Sequence, residues 1–423
     1  MRIGLFYPGY IPKEGGTGYV LKCLIEALHN KSEKLYFFNP YDNGKNSFKI
    51  QEIQKYSLKT LISILIHKKS LKVILKTFWK ILIDKKTKFS DKIRIISFLV
   101  IKPQIFISTF LNLEKILPIV QFLNLDVILG GATTEYILPL IYILSILLNK
   151  KVCSLTYGND FLVKSRFSFQ SFYIRNLDLI ILGTYSMKNL IKKIHPLNEE
   201  QLVVIRYGLN FDDYNVNASK SELREKYNIS ENDFILLSVG RHVSRKNFDM
   251  VIKAINFMKN GLKITNIKYY LIGEGDATSN LKELTKELNL EDSVIFLGFV
   301  SKLVRNSFFK LSDLFLMPSS REKESIEGFG IVFIEANYFK CPVIGTYSGG
   351  ISEAIINNVT GLLVKENDFE DLLKKILFIY NNKEIAKEMG VNGYQRIIKD
   401  FNWDIIVNDY IDIFRKLLDL KLD

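Results

Sequence analysis

The chain has 423 residues, 48% of them apolar and 24% charged, and a formal net charge of +13. That apolar content excludes a disordered chain and suffices for two buried cores of about 150 to 200 residues each. The three cysteines, Cys23, Cys153 and Cys341, are far apart and odd in number, which argues against a disulfide framework or a zinc site and for a reducing compartment.

The opening run MRIGLFYPGY reads as a strand. It is too short for a signal-peptide core and has no small-residue cleavage site, so a cytoplasmic protein is expected. A Gly-rich turn, Gly15 to Gly18, separates it from a helical pattern over Tyr19 to His29. The turn has neither the six-position dinucleotide fingerprint nor the Gly-Lys-Ser/Thr ending of a P-loop. It is either a flexible turn before a helix or a ligand loop. Further short apolar runs, LYFFNP, DVILGG, VCSLTYG, DLIILGT and LVVIRYG, alternate in part with helical patterns such as Tyr185 to Ile194. Such alternation predicts a parallel α/β sheet.

Between Ile53 and Leu125 the pattern changes. Lys69, Lys72, Lys76 and Lys80 fall on a narrow helical arc, with Leu71, Ile74, Leu75, Phe78, Trp79 and Leu82 on the other side. Three readings compete: a membrane-surface helix, a nucleic-acid surface, and a core helix with a Lys-rich solvent face. Nucleic acid fits least, because bulky aliphatics surround the lysines and no binding motif accompanies them. Peripheral attachment to an anionic membrane surface is the favoured reading, each near-surface Lys contributing about 1 kcal/mol. Two apolar runs, Ile95 to Leu111 (broken by Lys102 and Pro103) and Tyr136 to Leu148 (containing Pro139), fall short of the roughly 18 to 20 apolar residues a membrane span needs. They are read as core or interfacial segments.

A polar, Gly-containing join near Tyr207 to Tyr214 divides the chain. The expected domains are 1–206 (with the basic insertion at about 53–125), 207–400, and a C-terminal amphipathic helix within 401–423. In the second domain FILLSVG, KYYLIGEG, VIFLGF, DLFLMPS, PVIGT and GLLV repeat the strand pattern, with helices around Phe248 to Met258, Leu281 to Leu288 and Phe333 to Phe339. Open α/β sheets bind ligands beyond the carboxyl ends of their strands, so the loops after these runs are the candidate site. GRHVSRKN follows the first of them and carries Arg241 and Lys246. A planar fork and a point charge at a strand end suit a diphosphate; the alternative is an exposed basic loop, common at this net charge. Arg245, in the same loop, is not ranked with them. LIGEGD, ending in Gly273 to Asp276, reads as a tight turn. His29, His67, His195 and His242 show no metal-type spacing.

EGFGIVFIE is the most informative stretch. Glu327 and Glu335 bracket a Gly-Phe-Gly turn that runs into a helical pattern. Gly328 and Gly330 permit close backbone approach, and a helix starting there aims free N–H groups at a phosphate. Eight residues at 100° each bring Glu335 to roughly the face of Glu327. One carboxylate then suits a sugar and the other a ribose, or else both are a helix-start charge and a solvated face. Downstream come a buried strand, CPVIGT, and the turn carrying Gly349, Gly350 and Glu353.

These residues together resemble the retaining family 4 glycosyltransferases of the GT-B architecture, whose signature is Glu, seven residues, Glu, then a strand and a Gly-Gly-x-x-Glu turn. The resemblance implies an α/β fold with two Rossmann-like domains facing each other across a cleft and the C-terminal helix returning to the first domain. It implies a hexosyltransferase-type glycosyltransferase that moves a sugar, with retention, from a nucleotide-sugar to a hydroxyl acceptor in cell-surface glycan or lipid-linked saccharide synthesis. Carried over residue by residue, Glu327, Arg241 and Lys246 are catalytic. The donor contacts are Gly15, Gly16, Arg241, Lys246, Phe299, Val300, Glu327, Gly328, Phe329, Gly330, Ile331 and Glu335, with Phe299 and Val300 meeting the base through the main chain and Glu335 the ribose. Where the family often has His-Gly-x-Asp, this chain has Tyr157, Gly158, Asn159 and Asp160. Tyr157 and Asp160 are expected to line the acceptor side. A phenol with a pKa of about 10 takes no proton near neutral pH, so no imidazole acid or base is expected. No Asp-x-Asp run or His cluster offers a divalent site, so no metal or other cofactor is expected. Glycan, lipid-linked or protein acceptors are all compatible, as is a catalytically silent GT-B subunit, which Tyr157 favours and the Arg241, Lys246, Glu327 and Glu335 set disfavours.

Overall fold

The computed structural model describes residues 1–7, 15–31, 33–38, 109, 113, 116–134, 137–162, 170–323 and 325–419. The basic helix expected over residues 69–88 lies outside them. The chain divides into two compact units, one of Met1–Ile205 with Val407–Asp423 and the other of Arg206–Ile406.

The first unit is built on β1 (Arg2–Phe6), β2 (Lys34–Phe38), β3 (Val127–Gly130), β4 (Lys151–Thr156), β5 (Leu179–Leu182) and β6 (Leu202–Val204). They pair in parallel in the order β2-β1-β3-β4-β5-β6. Parallel strands covered on both faces need apolar side chains at every position rather than at alternate ones, and β3 and β5 are buried throughout. The helix Gly16–Asn30 packs against β2 with Leu21, Leu24 and Leu28 fully buried. Pro139 stands in the first turn of the helix Ile137–Leu148, where no intrahelical N–H is required of it. That helix is a core element, as its sequence suggested. No described helix is long and apolar enough to cross a membrane. From Val407 the C-terminal helix Trp403–Asp419 belongs to this unit, and Arg415 reaches Glu33 at 3.4 Å.

The second unit carries β7 (Phe234–Val239), β8 (Ile267–Ile272), β9 (Val294–Gly298), β10 (Leu314–Leu316), β11 (Val343–Thr346) and β12 (Gly361–Val364). Their order, β12-β11-β10-β7-β8-β9, is all parallel. Two βαβαβ halves therefore meet between β7 and β10, the switch point where connections leave in opposite directions and a crevice opens. Phe315 of β10 meets Phe333 edge-on at 5.5 Å. Phe333 belongs to the helix Ile331–Tyr338, so this contact seats that helix beside the switch point.

Candidate functional site

The loops after β7 and β10 converge on one carboxylate. After β7 the chain makes a single tight turn, Ser244–Lys246, closed by Asn247 at φ 53°, whose side chain donates to the Pro318 carbonyl at 3.0 Å. The turn sends Arg245 and Lys246 inward, with side-chain exposures of 10% and 9%. Arg245 Nη1 donates to Glu327 Oε2 at 2.8 Å and Lys246 Nζ donates to the same oxygen at 2.6 Å. Both bonds end on Oε2, so neither cation engages Oε1. Burial alone would raise the Glu327 carboxyl, but the Lys246 ammonium and the Arg245 guanidinium hold it down to about 2. Burial also depresses the Lys246 ammonium below the usual lysine range, against the pull of Glu327. Two buried cations share one carboxylate, which leaves a local charge of +1 in a poorly solvated place.

Two glycines hold Glu327 where it is. Gly330, at φ +81°, precedes the helix Ile331–Tyr338, and a side chain there would run into the Phe333 ring. Gly349, at φ +55°, lies against the Glu327 carbonyl, and Gly350 N donates to that carbonyl at 2.9 Å. The Gly-Gly turn after β11 thus clamps the main chain of the catalytic candidate.

Glu335 is placed differently from the expectation of a shared face. Glu327 precedes the helix, whereas Glu335 lies within it and is only 3% exposed. Its Oε1 accepts from the Tyr214 hydroxyl at 2.8 Å and pairs with Arg305 at 2.9 Å. Sequence reasoning missed both partners, which are distant in the chain and carry no local motif. It also ranked Arg241 above Arg245. Arg241 is exposed, although its charge reaches Lys246, and Arg245 makes the contact because the tight turn points residues 245 and 246 to the same side. Phe329 is buried against Tyr207 and Phe401, at 5.7 and 5.8 Å, so its side chain is core. Gly328 and Ile331 are half-buried, and Phe299, beyond β9, is 68% exposed beside a half-buried Val300.

In the first unit the switch point lies between β1 and β3. Gly15 and Gly16 are exposed at the start of the helix after β1. Tyr157 and Asp160 follow β4, and the Asp160 carboxylate accepts from the Thr133 main chain beyond β3 at 3.0 Å.

His242 is a buried core imidazole. It is 1% exposed, its Nδ1 lies 3.0 Å from Thr278 Oγ1, and it meets Phe248 and Phe296 edge-on. Its Nε2 has no hydrogen-bond partner. The Gly273–Asp276 turn packs on it, His242 N donating to the Glu274 carbonyl at 3.0 Å and Ala277 N donating to the His242 carbonyl at 2.9 Å. Burial first, and Lys282 second, push the ring down to about 4. A base depressed on folding stabilises the fold above its unfolded value near 6.5, and that contribution fades as pH falls through about 4. The expected loss is about 3 kcal/mol between pH 6.5 and 4. Urea melts of wild type and His242→Phe across that range check it: the variant should lose this part of the pH dependence.

Cations fixed at the switch point of a doubly wound sheet put positive charge where open α/β sheets bind their ligands. Residues 219–396 match the family model described as glycosyl transferases group 1. The uncharacterized glycosyltransferase MJ1178 of Methanocaldococcus jannaschii is 30% identical over 268 residues, 62% of this chain and 68% of that protein. The capsular polysaccharide biosynthesis glycosyltransferase CapM of Staphylococcus aureus is 28% identical over 249 residues, 56% of this chain and 62% of that protein. The crystal structure of Anabaena Alr3699/HepE in complex with UDP superposes with a TM-score of 0.70 at 17% identity, over 98% of this chain and 100% of that one. The chain belongs to the glycosyl transferases group 1 family and is a glycosyltransferase of GT-B fold.

Proposed function

We propose that the protein is a retaining, metal-independent hexosyltransferase, moving a sugar from a nucleoside-diphosphate donor to a hydroxyl acceptor in cell-surface glycan or lipid-linked saccharide synthesis. The observation that carries this reading is the buried Arg245, Lys246 and Glu327 cluster at the β7/β10 switch point. The two fixed cations, with Arg241 at the rim and the helix end at Gly330, supply the positive field a leaving diphosphate needs, which is the work a divalent ion does elsewhere. Glu327 Oε1 takes the donor sugar's hydroxyls and faces the positive charge that develops at the anomeric carbon. Retention follows when the acceptor hydroxyl enters on the face the diphosphate leaves, a phosphate oxygen taking its proton. CapM, a capsular polysaccharide enzyme by name, supports the pathway class, and the UDP of the Anabaena structure supports a nucleotide donor.

Glu335 serves the ribose, with Tyr214 and Arg305 holding its Oε1. Glu335→Ala is expected to weaken nucleoside-diphosphate binding roughly tenfold while slowing the chemical step less than threefold. Calorimetric titration with UDP and GDP, beside single-turnover rates, checks it; a larger effect on the rate than on binding removes the ribose role. Peripheral attachment to an anionic leaflet through residues 69–88 completes the reading and rests on the amphipathic pattern of the sequence.

The experiment for the function itself is a thermal-shift screen with UDP-glucose, UDP-N-acetylglucosamine and GDP-mannose, followed by assay of slow hydrolysis of the best stabiliser. A ligand that binds only the native state raises apparent stability with the logarithm of its excess over Kd. Stabilisation with hydrolysis supports the enzyme; stabilisation without any turnover supports the silent subunit.

A further inference from the structure

The Asp160 carboxylate is saturated. Its Oδ2 accepts from Thr133 N and Thr133 Oγ1, both at 3.0 Å. Its Oδ1 accepts from Thr156 Oγ1 at 2.8 Å, Tyr157 N at 2.9 Å and Gly158 N at 3.0 Å. Two donors on one oxygen and three on the other fill the lone-pair directions a carboxylate offers. The donors come from the segments just beyond β3 and just beyond β4, which are neighbours in the sheet. The β3 segment is tied in turn to β1, Gly131 N donating to the Phe6 carbonyl at 2.8 Å. A second clamp closes the arrangement, as the Gln170 amide donates to the Thr133 carbonyl at 2.6 Å and to the Asp160 carbonyl. The three strand ends so joined include the β1/β3 switch point, where an open α/β sheet presents its ligand-facing groups.

We propose that Asp160 is a positioning residue: a built-in anion in a five-donor nest that fixes Thr133 and Tyr157 beyond the carboxyl ends of β3 and β4, where the first unit presents its ligand-facing groups. This corrects the expectation that its side chain lines the acceptor site, since its oxygens are spent on its own chain. The inference rests on the transferase reading above. Misplacing a positioning group by about 1 Å costs roughly a hundredfold in rate without touching remote binding. The proposed diphosphate and ribose groups Arg245, Lys246 and Glu335 belong to the Arg206–Ile406 unit, so nucleotide affinity and turnover should separate.

Asp160→Asn is the sharp variant. An amide has one acceptor oxygen; set on the three-donor side, it turns an NH2 group towards Thr133 N–H, and that pair cannot bond. The probe is whichever of UDP-glucose, UDP-N-acetylglucosamine and GDP-mannose most stabilises the wild type, with water as acceptor. Turnover to nucleoside diphosphate should fall roughly tenfold to a hundredfold in Asp160→Asn, with the Kd for that nucleoside diphosphate within twofold of wild type. Asp160→Ala should lose turnover likewise and regain part of it with added formate, a carboxylate small enough for the emptied nest. Wild-type turnover in Asp160→Asn overturns the proposal. So does a parallel loss of nucleotide affinity, or a loss of turnover in Asp160→Ala that formate leaves unchanged, either of which marks a merely structural residue. If the wild type neither binds nor hydrolyses any of the three probes, the transferase reading itself fails and takes this inference with it.

Discussion

Glu327→Gln is expected to cut turnover of the nucleotide-sugar roughly a hundredfold or more and to destabilise the Arg206–Ile406 unit by about 3 kcal/mol. The substitution keeps the side chain's size and removes its charge. Lys246 and Arg245 are about nine-tenths buried and share Glu327 Oε2, so the variant strands two desolvated cations against a neutral amide. Breaking a buried pair in this way costs far more than an exposed ion pair ever contributes. In the proposed mechanism the rate loss has a separate cause, the missing negative charge opposite the anomeric carbon. Urea denaturation and kcat measured on the same preparation separate the two effects, and a destabilised variant with wild-type kcat would make Glu327 purely structural.

Lys246→Met should spare stability and fall mainly on ligand binding. Removing one cation lets Arg245 and Glu327 pair one to one, and the local charge falls from +1 to zero. Stability should therefore change less than in Glu327→Gln, while affinity for the nucleoside diphosphate falls roughly tenfold to a hundredfold, about 1.4 to 2.7 kcal/mol. The loss should shrink as salt is raised, because part of it is long-range attraction. Arg241→Ala, at an exposed position, should cost less than threefold by titration at 0.15 M salt. An Arg241→Ala effect as large as that of Lys246→Met would restore Arg241 to the rank the sequence pattern suggested.

The sheets were legible because buried parallel strands are continuous apolar runs, and β3, β5 and β7 stand out for that reason. The Glu327 segment was legible because a carboxylate, a Gly-Phe-Gly turn and a Gly-Gly clamp are local or nearly so. What escaped was long-range side-chain direction. Tyr214 lies 121 residues from Glu335, and no spacing rule links them. Arg245 and Arg241 share a loop, and Arg245 reaches Glu327 because it lies within the Ser244–Lys246 turn, whereas Arg241 precedes it. Asp160 was picked out by motif, but that it binds its own chain follows from Thr133, 27 residues earlier, through strand pairing that periodicity leaves unspecified.

The central claim is that fixed side-chain cations, and no divalent ion, hold the donor diphosphate. Release of nucleoside diphosphate from the best-stabilising nucleotide-sugar, followed in excess EDTA and then with Mg²⁺ or Mn²⁺ restored, measures this directly. The account predicts the same rate within twofold in both conditions for the wild type and a strongly reduced rate in both for Lys246→Met. Turnover that disappears in EDTA and returns with the metal would contradict it.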